Sequence, residues 1–114
     1  MSICYLNGNF VELSKASISP LDRGFLFGDS VYEVLAAYEK NLFRLDDHME
    51  RLKKNLQSLS INIALENSEI KSILQKVCEK NPEENQIIYL QISRGAEAIR
   101  NHIPIKETQP TIFI

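Results

Sequence analysis

The sequence predicts an α+β domain with a mostly antiparallel sheet and two helices packed on one side of it. Strand-like segments come first, two consecutive amphipathic helices follow, and strand-like segments return at the end. The 114 residues are enough for one domain with a real core. The content of 44% hydrophobic and 25% charged residues is typical of a globular chain.

The first predicted element is a β-hairpin. Two short apolar runs, residues 3–6 and 10–13, flank Asn7-Gly8, a dipeptide that favours the tight turn between antiparallel strands. Ser19-Pro20 then marks a turn. Residues 22–29 contain two glycines and no clean hydrophobic period. We therefore expect an ordered loop there, held by its aromatic residues and by a pairing of Asp22 with Arg23.

Residues 31–38 read as the next strand. Val31, Glu33, Leu35 and Ala37 would share one face, and the alternate residues would share the other. Because both faces are mainly apolar, we expect a central strand. Lys40-Asn41 would turn the chain, and residues 42–44 would pair back as a short strand.

Two amphipathic helices are predicted next. In the first, apolar residues follow spacings of three and four: Leu45, Met49, Leu52, Leu56 and Leu59. It would open at Asp46 or Asp47, since acids are favoured at a helix N-terminus. The second has one apolar face: Ile70, Ile73, Leu74, Val77 and Cys78. Asn67 or Ser68 could cap this helix, and Asn81-Pro82 would stop it.

The last segments return to strand character. Residues 86–93 place Ile88, Leu90 and Ile92 on one face, residues 94–106 form a polar loop, and residues 111–114 begin another strand. The sequence ends inside that apolar strand. We therefore expect a truncated or proteolysed chain with further sequence beyond it.

Composition argues against several classes of function. The net charge is −2 and the basic residues are scattered, so we do not expect nucleic acid as a partner. No apolar run approaches the roughly 18 residues of a membrane span, and the start does not resemble a signal peptide. Two histidines without ligand spacing do not predict a metal site. Cys4 and Cys78 fit small buried hydrophobes in a reducing cytoplasm.

Three segments carry a resemblance to a known family. They are Asp22–Glu33, Leu42–Leu52, and Ile92–Gly95 followed by Arg100-Asn101-His102. In this order and near this spacing, they resemble the fold-type IV pyridoxal-phosphate (PLP) aminotransferases of the D-amino-acid type. The resemblance implies that residues 1–114 form the N-terminal small domain of such an enzyme.

Arg51 is the candidate for binding the cofactor. A phosphate dianion needs a fixed cation with several donors, and the guanidinium fork matches phosphate oxygens bidentately. Read alone, Arg51 would more often be a solvated helix residue paired with Asp47, four positions earlier. The resemblance implies instead that it holds the phosphate of PLP. His48 would then be a packing or capping partner beside it.

Tyr32, Arg100 and His102 are the candidates for binding the substrate carboxylate. A strand tyrosine is usually a packing residue, and an exposed Arg-x-His is usually a solvated loop. The resemblance implies that Tyr32 points into the active site and that Arg100 and His102 form a carboxylate trap supplied by the neighbouring subunit of a homodimer. The loop between Gly95 and Arg100 is one residue longer than the family pattern.

Two further charged residues have expected roles. Glu33 points to the other face of the strand from Tyr32, and we expect a structural or pocket-edge role for it. Arg94 would have a structural role at the end of its strand.

The resemblance implies transfer of an amino group between a D-amino acid, such as D-alanine, and a 2-oxo acid. That reaction needs a lysine that carries PLP and moves the substrate proton. None of the eight lysines matches that context, so we expect the catalytic lysine in a C-terminal domain and an inactive 114-residue chain. The alternatives are aminodeoxychorismate lyase, a branched-chain aminotransferase, or a non-catalytic binding or dimerisation module.

Overall fold

The computed structural model describes every residue from Met1 to Ile114, and it confirms the α+β prediction. Six strands form one antiparallel sheet in the order β2-β1-β6-β5-β3-β4. Their bounds are β1 Ile3–Leu6, β2 Asn9–Glu12, β3 Ser30–Tyr38, β4 Asn41–Leu42, β5 Gln86–Ser93 and β6 Thr111–Phe113. The α-helices are α1 Arg23–Phe27, α2 Leu45–Ser58 and α3 Asn67–Lys80, and a 3-10 turn spans Leu13–Lys15.

The hydrophobic core lies between one face of the sheet and helices α2 and α3. The two helices bury the apolar faces that their spacing predicts: Met49, Leu52 and Leu56 from α2, and Ile70, Leu74, Val77 and Cys78 from α3. Full burial of one such large apolar side chain stabilises the fold by about 1.5–3 kcal/mol. None of the helices has the length and apolar character that crossing a membrane requires.

Strand β3 lies next to the edge of the sheet, so the prediction of a central strand is wrong. The edge strand β4 pairs only with Ala37 and Tyr38, which leaves residues 30–35 without a strand on that side. One face of β3 is buried under the helices, whereas Tyr32 and Val34 on the other face are exposed. Apolar residues on both faces indicated burial on both sides, and the open face of the sheet is the reason that this inference failed.

Residues 22–29 contain helix α1 rather than only a loop. Asp22 caps it by accepting a hydrogen bond from the backbone N–H of Gly24 at 2.8 Å. Gly28 ends it in the left-handed region with φ 66°. Asp22 does not pair with Arg23, because its other oxygen accepts from the Thr111 hydroxyl at 2.6 Å. Phe25 is 70% exposed, so this aromatic residue does not hold the segment.

Both long helices begin slightly differently from the prediction. Helix α2 starts at Leu45, after Arg44 in the left-handed region, so Asp46 and Asp47 lie within its first turn. Helix α3 is capped by Glu66 rather than by Asn67 or Ser68. Glu66 and the side chain of Glu69 form a reciprocal capping box.

Candidate functional site

A cleft opens at the unpaired edge of β3. Its walls are Tyr32, Glu33 and Val34 of β3 together with Arg51 and Asn55 of α2, and its volume is about 470 Å³. Successive strand residues point to opposite faces, but all three reach this cleft because no strand covers the edge here. Arg51 and Asn55 are four residues apart and share one side of the helix. The volume is within the range of small-molecule sites.

A bidentate ion pair joins the two walls of the cleft. Arg51 donates from Nε to Glu33 Oε1 at 2.7 Å and from Nη2 to Oε2 at 2.8 Å. The Glu33 side chain is 1% exposed, whereas the Arg51 side chain is 64% exposed. The alternative pairing of Arg51 with Asp47 is wrong, because Asp47 accepts from Arg44 Nε at 2.9 Å. The pair thus links a buried carboxylate to a guanidinium that faces solvent.

His48 completes the group around Glu33. Its Nδ1 lies 2.7 Å from Glu33 Oε2, so it contacts the buried carboxylate rather than capping the helix. The hydrogen bond from Arg51 lowers the pKa of Glu33 below its ordinary value, against the desolvation that would raise it, and His48 adds to the lowering. The same hydrogen bond raises the pKa of Arg51. Both members of the pair are therefore charged at neutral pH.

The donor pattern of Arg51 fits an anion. A guanidinium carries five N–H groups, and Glu33 accepts two of them. The other three have no partner in the chain, and the residue lines the cleft. Three donors on a fixed cation suit the oxygens of a phosphate. The phosphate-binding role of Arg51 nevertheless stays a prediction, as do the ligand roles of Tyr32, Arg100 and His102.

Tyr32 presents a free hydroxyl at the same cleft. The residue is 63% exposed, and its ring stacks on that of Tyr89 with centroids 5.9 Å apart and planes at 25°. The Tyr89 hydroxyl donates to Gln91 at 2.6 Å, whereas the Tyr32 hydroxyl has no hydrogen-bond partner in the chain. The stacking fixes the ring and leaves its polar end available to a ligand.

Arg100 and His102 form a second cluster. Both are exposed, and both contact the ring of Phe27, with the Arg100 guanidinium carbon and the His102 ring centroid each 5.0 Å from its centroid. Neither side chain makes a hydrogen bond or aromatic contact with Tyr32. One chain therefore brings Arg100 and His102 together but does not join them to Tyr32.

Arg23 orders this second cluster, a role that the sequence reasoning missed. The residue is 5% exposed and donates from Nη2 to the carbonyl of His102 at 2.9 Å and from Nη1 to the carbonyl of Asn101. Its Nε donates to Asp29 at 2.9 Å. The only sequence signal was its place between a capping aspartate and Gly24, where a short helix can begin.

Asp29 connects Arg23 to the end of β5. It also accepts from Arg94 Nε at 2.7 Å, and Arg94 donates in turn to the carbonyl of Leu59 at 2.6 Å. Desolvation raises the pKa of Asp29, but the hydrogen bonds from Arg94 and Arg23 outweigh it, so the net shift is downward. Arg94 thus has the structural role expected for it.

Comparison with known proteins decides the family. The family model for amino-transferase class IV matches residues 30–114. The chain belongs to the class IV aminotransferases. The matched region contains Tyr32, Glu33, Arg51 and the Arg100–His102 segment, so all the residues predicted to bind cofactor or substrate lie within it.

The chain is similar in sequence to curated proteins that share one name, D-alanine aminotransferase. The D-alanine aminotransferase of Staphylococcus aureus strain MSSA476 is 35% identical over 113 residues, which are 98% of this chain and 40% of the relative. The D-alanine aminotransferase of Bacillus licheniformis is 38% identical over 96 residues, 84% of this chain and 34% of the relative. The chain therefore spans at most two fifths of the length of these relatives.

Solved structures of three enzymes share the fold of this chain. The branched-chain amino acid aminotransferase of Escherichia coli has a TM-score of 0.90 at 20% identity, covering 98% of this chain and 38% of that one. A second branched-chain enzyme, from T.th. and complexed with N-(5'-phosphopyridoxyl)-L-glutamate, has a TM-score of 0.89 at 25% identity, with coverage of 98% and 39%. The 4-amino-4-deoxychorismate lyase of Pseudomonas aeruginosa has a TM-score of 0.79 at 24% identity, with coverage of 96% and 37%. The fold alone does not choose among these activities.

Proposed function

We propose that this chain is the N-terminal part of a PLP-dependent D-amino-acid aminotransferase. The full-length enzyme would transfer an amino group between a D-amino acid, such as D-alanine, and a 2-oxo acid, such as 2-oxoglutarate. The observation that carries the proposal is the Arg51 guanidinium, which is fixed by Glu33 and has three donors left for a phosphate. The curated relatives named D-alanine aminotransferase support the choice of substrate.

The residues of this chain would bind and orient the reactants. Arg51 holds the phosphate, while Tyr32, Arg100 and His102 bind the substrate carboxylate, the last two reaching the site from the second subunit of a homodimer. PLP, when bound, supplies an electron sink that stabilises the substrate carbanion. The position of the carboxylate decides which face of the reacting carbon receives its proton, and hence D rather than L stereochemistry. Both substrates use one pocket in turn, giving ping-pong kinetics.

The catalytic lysine would belong to a C-terminal domain outside residues 1–114. No lysine lines the cleft between Tyr32 and Arg51. We expect the 114-residue chain, incubated with PLP and reduced with borohydride, to show no stoichiometric adduct at a single lysine in its mass spectrum. Such an adduct would refute this part of the proposal, as would transaminase activity of the chain alone.

The proposal is tested by assaying the full-length protein with three substrates: D-alanine, L-leucine and aminodeoxychorismate. We expect amino transfer from D-alanine in the presence of 2-oxoglutarate, and its loss in the Arg51→Ala variant. Turnover of only L-leucine or only aminodeoxychorismate would assign the branched-chain or the lyase activity instead. An in-frame stop codon directly after Ile114 would favour a non-catalytic binding or dimerisation module.

We also propose a subcellular location for the enzyme. Cys4 and Cys78 are both buried and free. Unpaired thiols suit a reducing compartment, so we place the enzyme in the cytoplasm.

A further inference from the structure

Glu33 is a carboxylate in a position that the fold would otherwise fill with an apolar residue. It is in phase with Val31, Leu35 and Ala37 on the face of β3 that the helices cover, and all four are buried. Burial of a carboxylate is costly unless its charge is paired and its oxygens accept hydrogen bonds. An apolar residue would pack here without this cost, so we look for a role of the carboxylate other than packing.

The exposure of its partner suggests what that role is. A pair formed only for stability could bury both side chains, but Arg51 remains 64% exposed and lines the cleft. Two parallel hydrogen bonds fix both the position and the plane of the guanidinium, whereas one bond would leave it free to rotate. The three N–H groups that Glu33 does not use are the two on Nη1 and the second one on Nη2.

The carboxylate is itself held in place. His48 Nδ1 contacts Glu33 Oε2 at 2.7 Å from one turn before Arg51 on the same helix. Both oxygens of Glu33 therefore contact side chains of α2, and these contacts restrict the movement of the carboxylate. The guanidinium is ordered before any ligand arrives, which reduces the entropy lost on binding.

We propose that Glu33 is a positioning residue, which orients the Arg51 guanidinium so that its three remaining donors meet the phosphate of the cofactor. This inference rests on the proposed function, because it takes the anion at Arg51 to be that phosphate. Glu33 does not touch the phosphate. It acts through Arg51, and His48 acts through Glu33.

A purely structural role for Glu33 gives a different expectation. Loss of the ion pair between the buried carboxylate and the exposed guanidinium would lower stability and weaken every ligand of the site alike. Loss of a positioning residue would weaken ligands that carry the phosphate and spare those that lack it. The dissociation constant of pyridoxal divided by that of PLP reports this difference, because both ligands are measured on the same folded molecules. This ratio falls when the contribution of the phosphate to binding is lost.

The experiment measures that ratio for the full-length protein and its Arg51→Ala, Glu33→Gln and Asp46→Asn variants. In Glu33→Gln the new amide group turns a donor toward the donors of Arg51, and we expect the ratio to fall about tenfold. Asp46→Asn is the matched control, since it also removes one negative charge. Asp46 lies on α2, its side chain is 88% exposed, and it forms a salt bridge with Lys71 instead of Arg51. It should leave the ratio unchanged. The Glu33→Gln/Arg51→Ala double variant should show the same ratio as Arg51→Ala alone.

The outcomes separate this inference from the proposed function. If Arg51→Ala leaves the ratio unchanged, the phosphate site of the proposed function is wrong. If Arg51→Ala lowers the ratio but Glu33→Gln does not, Glu33 has no positioning role and the proposed function stands. Should Glu33→Gln fail to fold, Glu33→Asp keeps the charge but shortens the reach, and a ratio equal to that of the unmodified protein would then overturn the inference.

Discussion

Arg23 donates a hydrogen bond from Nη2 to the backbone carbonyl of His102 at 2.9 Å, across 79 positions of sequence. Its Nη1 binds the neighbouring carbonyl of Asn101. The side chains of Arg100 and His102 meet on the ring of Phe27, which belongs to the same short helix as Arg23. Helix α1 therefore sets the geometry of a loop that has no regular structure of its own.

The Arg23→Lys variant should weaken substrate binding. A lysine keeps the charge, but its single ammonium cannot serve Asp29 and two backbone carbonyls in the plane that the guanidinium occupies. If the loop binds the substrate carboxylate, we expect KM for D-alanine to rise about tenfold, or about 1.4 kcal/mol, with a smaller change in PLP affinity. Steady-state kinetics and cofactor titration of the full-length protein measure both.

Arg94→Lys is the matched control for this variant. Arg94 also binds Asp29, but its other contacts are the carbonyls of Leu59 and Ser60 at the end of α2, not the loop. It should lower stability and leave KM near its original value. Equal increases in KM for the two variants would show that α1 does not specifically order the loop.

Stability should fall steeply in acid because of two ion-paired carboxylates, the buried Glu33 and the partly buried Asp29. Glu33 and Asp29 have folded-state pKa values below their ordinary values of 4.5 and 3.8. The unfolded chain therefore binds protons more readily, so their stabilisation is fully present above the ordinary values. It is lost as the pH falls from about 5 through the lowered folded-state values. Urea unfolding of the chain at a series of pH values measures the loss.

Variants that remove these carboxylates identify the source of the acid dependence. Glu33→Gln and Asp29→Asn should each lower the free energy of unfolding at pH 7, by about 1–3 kcal/mol, and flatten its fall below pH 5. If both variants kept the steep fall of the unmodified chain, other carboxylates would be responsible.

Local patterns predicted most of the elements. Asn7-Gly8 placed the hairpin, and the apolar spacing in α2 and α3 predicted the faces that those helices bury, because both signals act over a few neighbouring residues. Helix α1 was missed because five residues are too few to show a period. Asp22 before it and Gly28 after it were the available signals, as N-cap and C-cap residues.

The candidate site was predicted less completely than the fold. The pattern placed Arg51 on α2, but the rule for helix neighbours suggested Asp47 as its partner and not a strand residue 18 positions away. Glu33 was expected only to have a structural or pocket-edge role, although its in-phase position with Val31 and Leu35 was an available signal of a buried carboxylate that needs a cation. The link from Arg23 to His102 depends on tertiary packing, which no local pattern encodes.

The open face of the sheet should make the isolated chain self-associate. The neighbouring strands β3 and β5 expose apolar side chains there: Tyr32, Val34, Tyr38, Ile87 and Tyr89. Such contiguous apolar surface marks an interface. We expect light scattering to show a mass that rises with concentration, and Ile87→Lys, at an 80% exposed position, to reduce it.

Leu59→Lys provides the control for that change. Leu59 is 40% exposed but follows α2 on the covered side of the sheet, so a charge there should leave association unchanged. A monomer at high concentration would count against an interface on the open face. An equal effect of the two lysines would indicate that added charge, rather than the place of the charge, prevents association.

Gly95→Ala should be severely destabilising, because the backbone of another segment occupies the space that a side chain would need. A Cβ at Gly95 would lie 1.9 Å from the carbonyl oxygen of Gln109, and its φ of 110° already disfavours other residues. Gly28 is the matched control, since its φ of 66° is also positive but no atom lies within 4 Å of a Cβ there. We expect Gly28→Ala to cost about 1 kcal/mol and Gly95→Ala more than about 4 kcal/mol in urea unfolding.

The comparison of the two glycine variants measures what Gly95→Ala costs beyond the ordinary strain of a left-handed residue, which Gly28→Ala also carries. Part of the excess cost at Gly95 is backbone strain, because φ 110° lies outside the left-handed region that Gly28 occupies at φ 66°. The rest comes from displacing residue 109, whose backbone carbonyl cannot move aside as a flexible side chain would. The carbonyl of Gly95 accepts from the backbone N–H of Arg23 at 2.8 Å, so such a shift would disturb the start of α1. If both variants lowered the free energy of unfolding equally, the contact with Gln109 would relax at no cost. A glycine at position 95 would then not be required for packing.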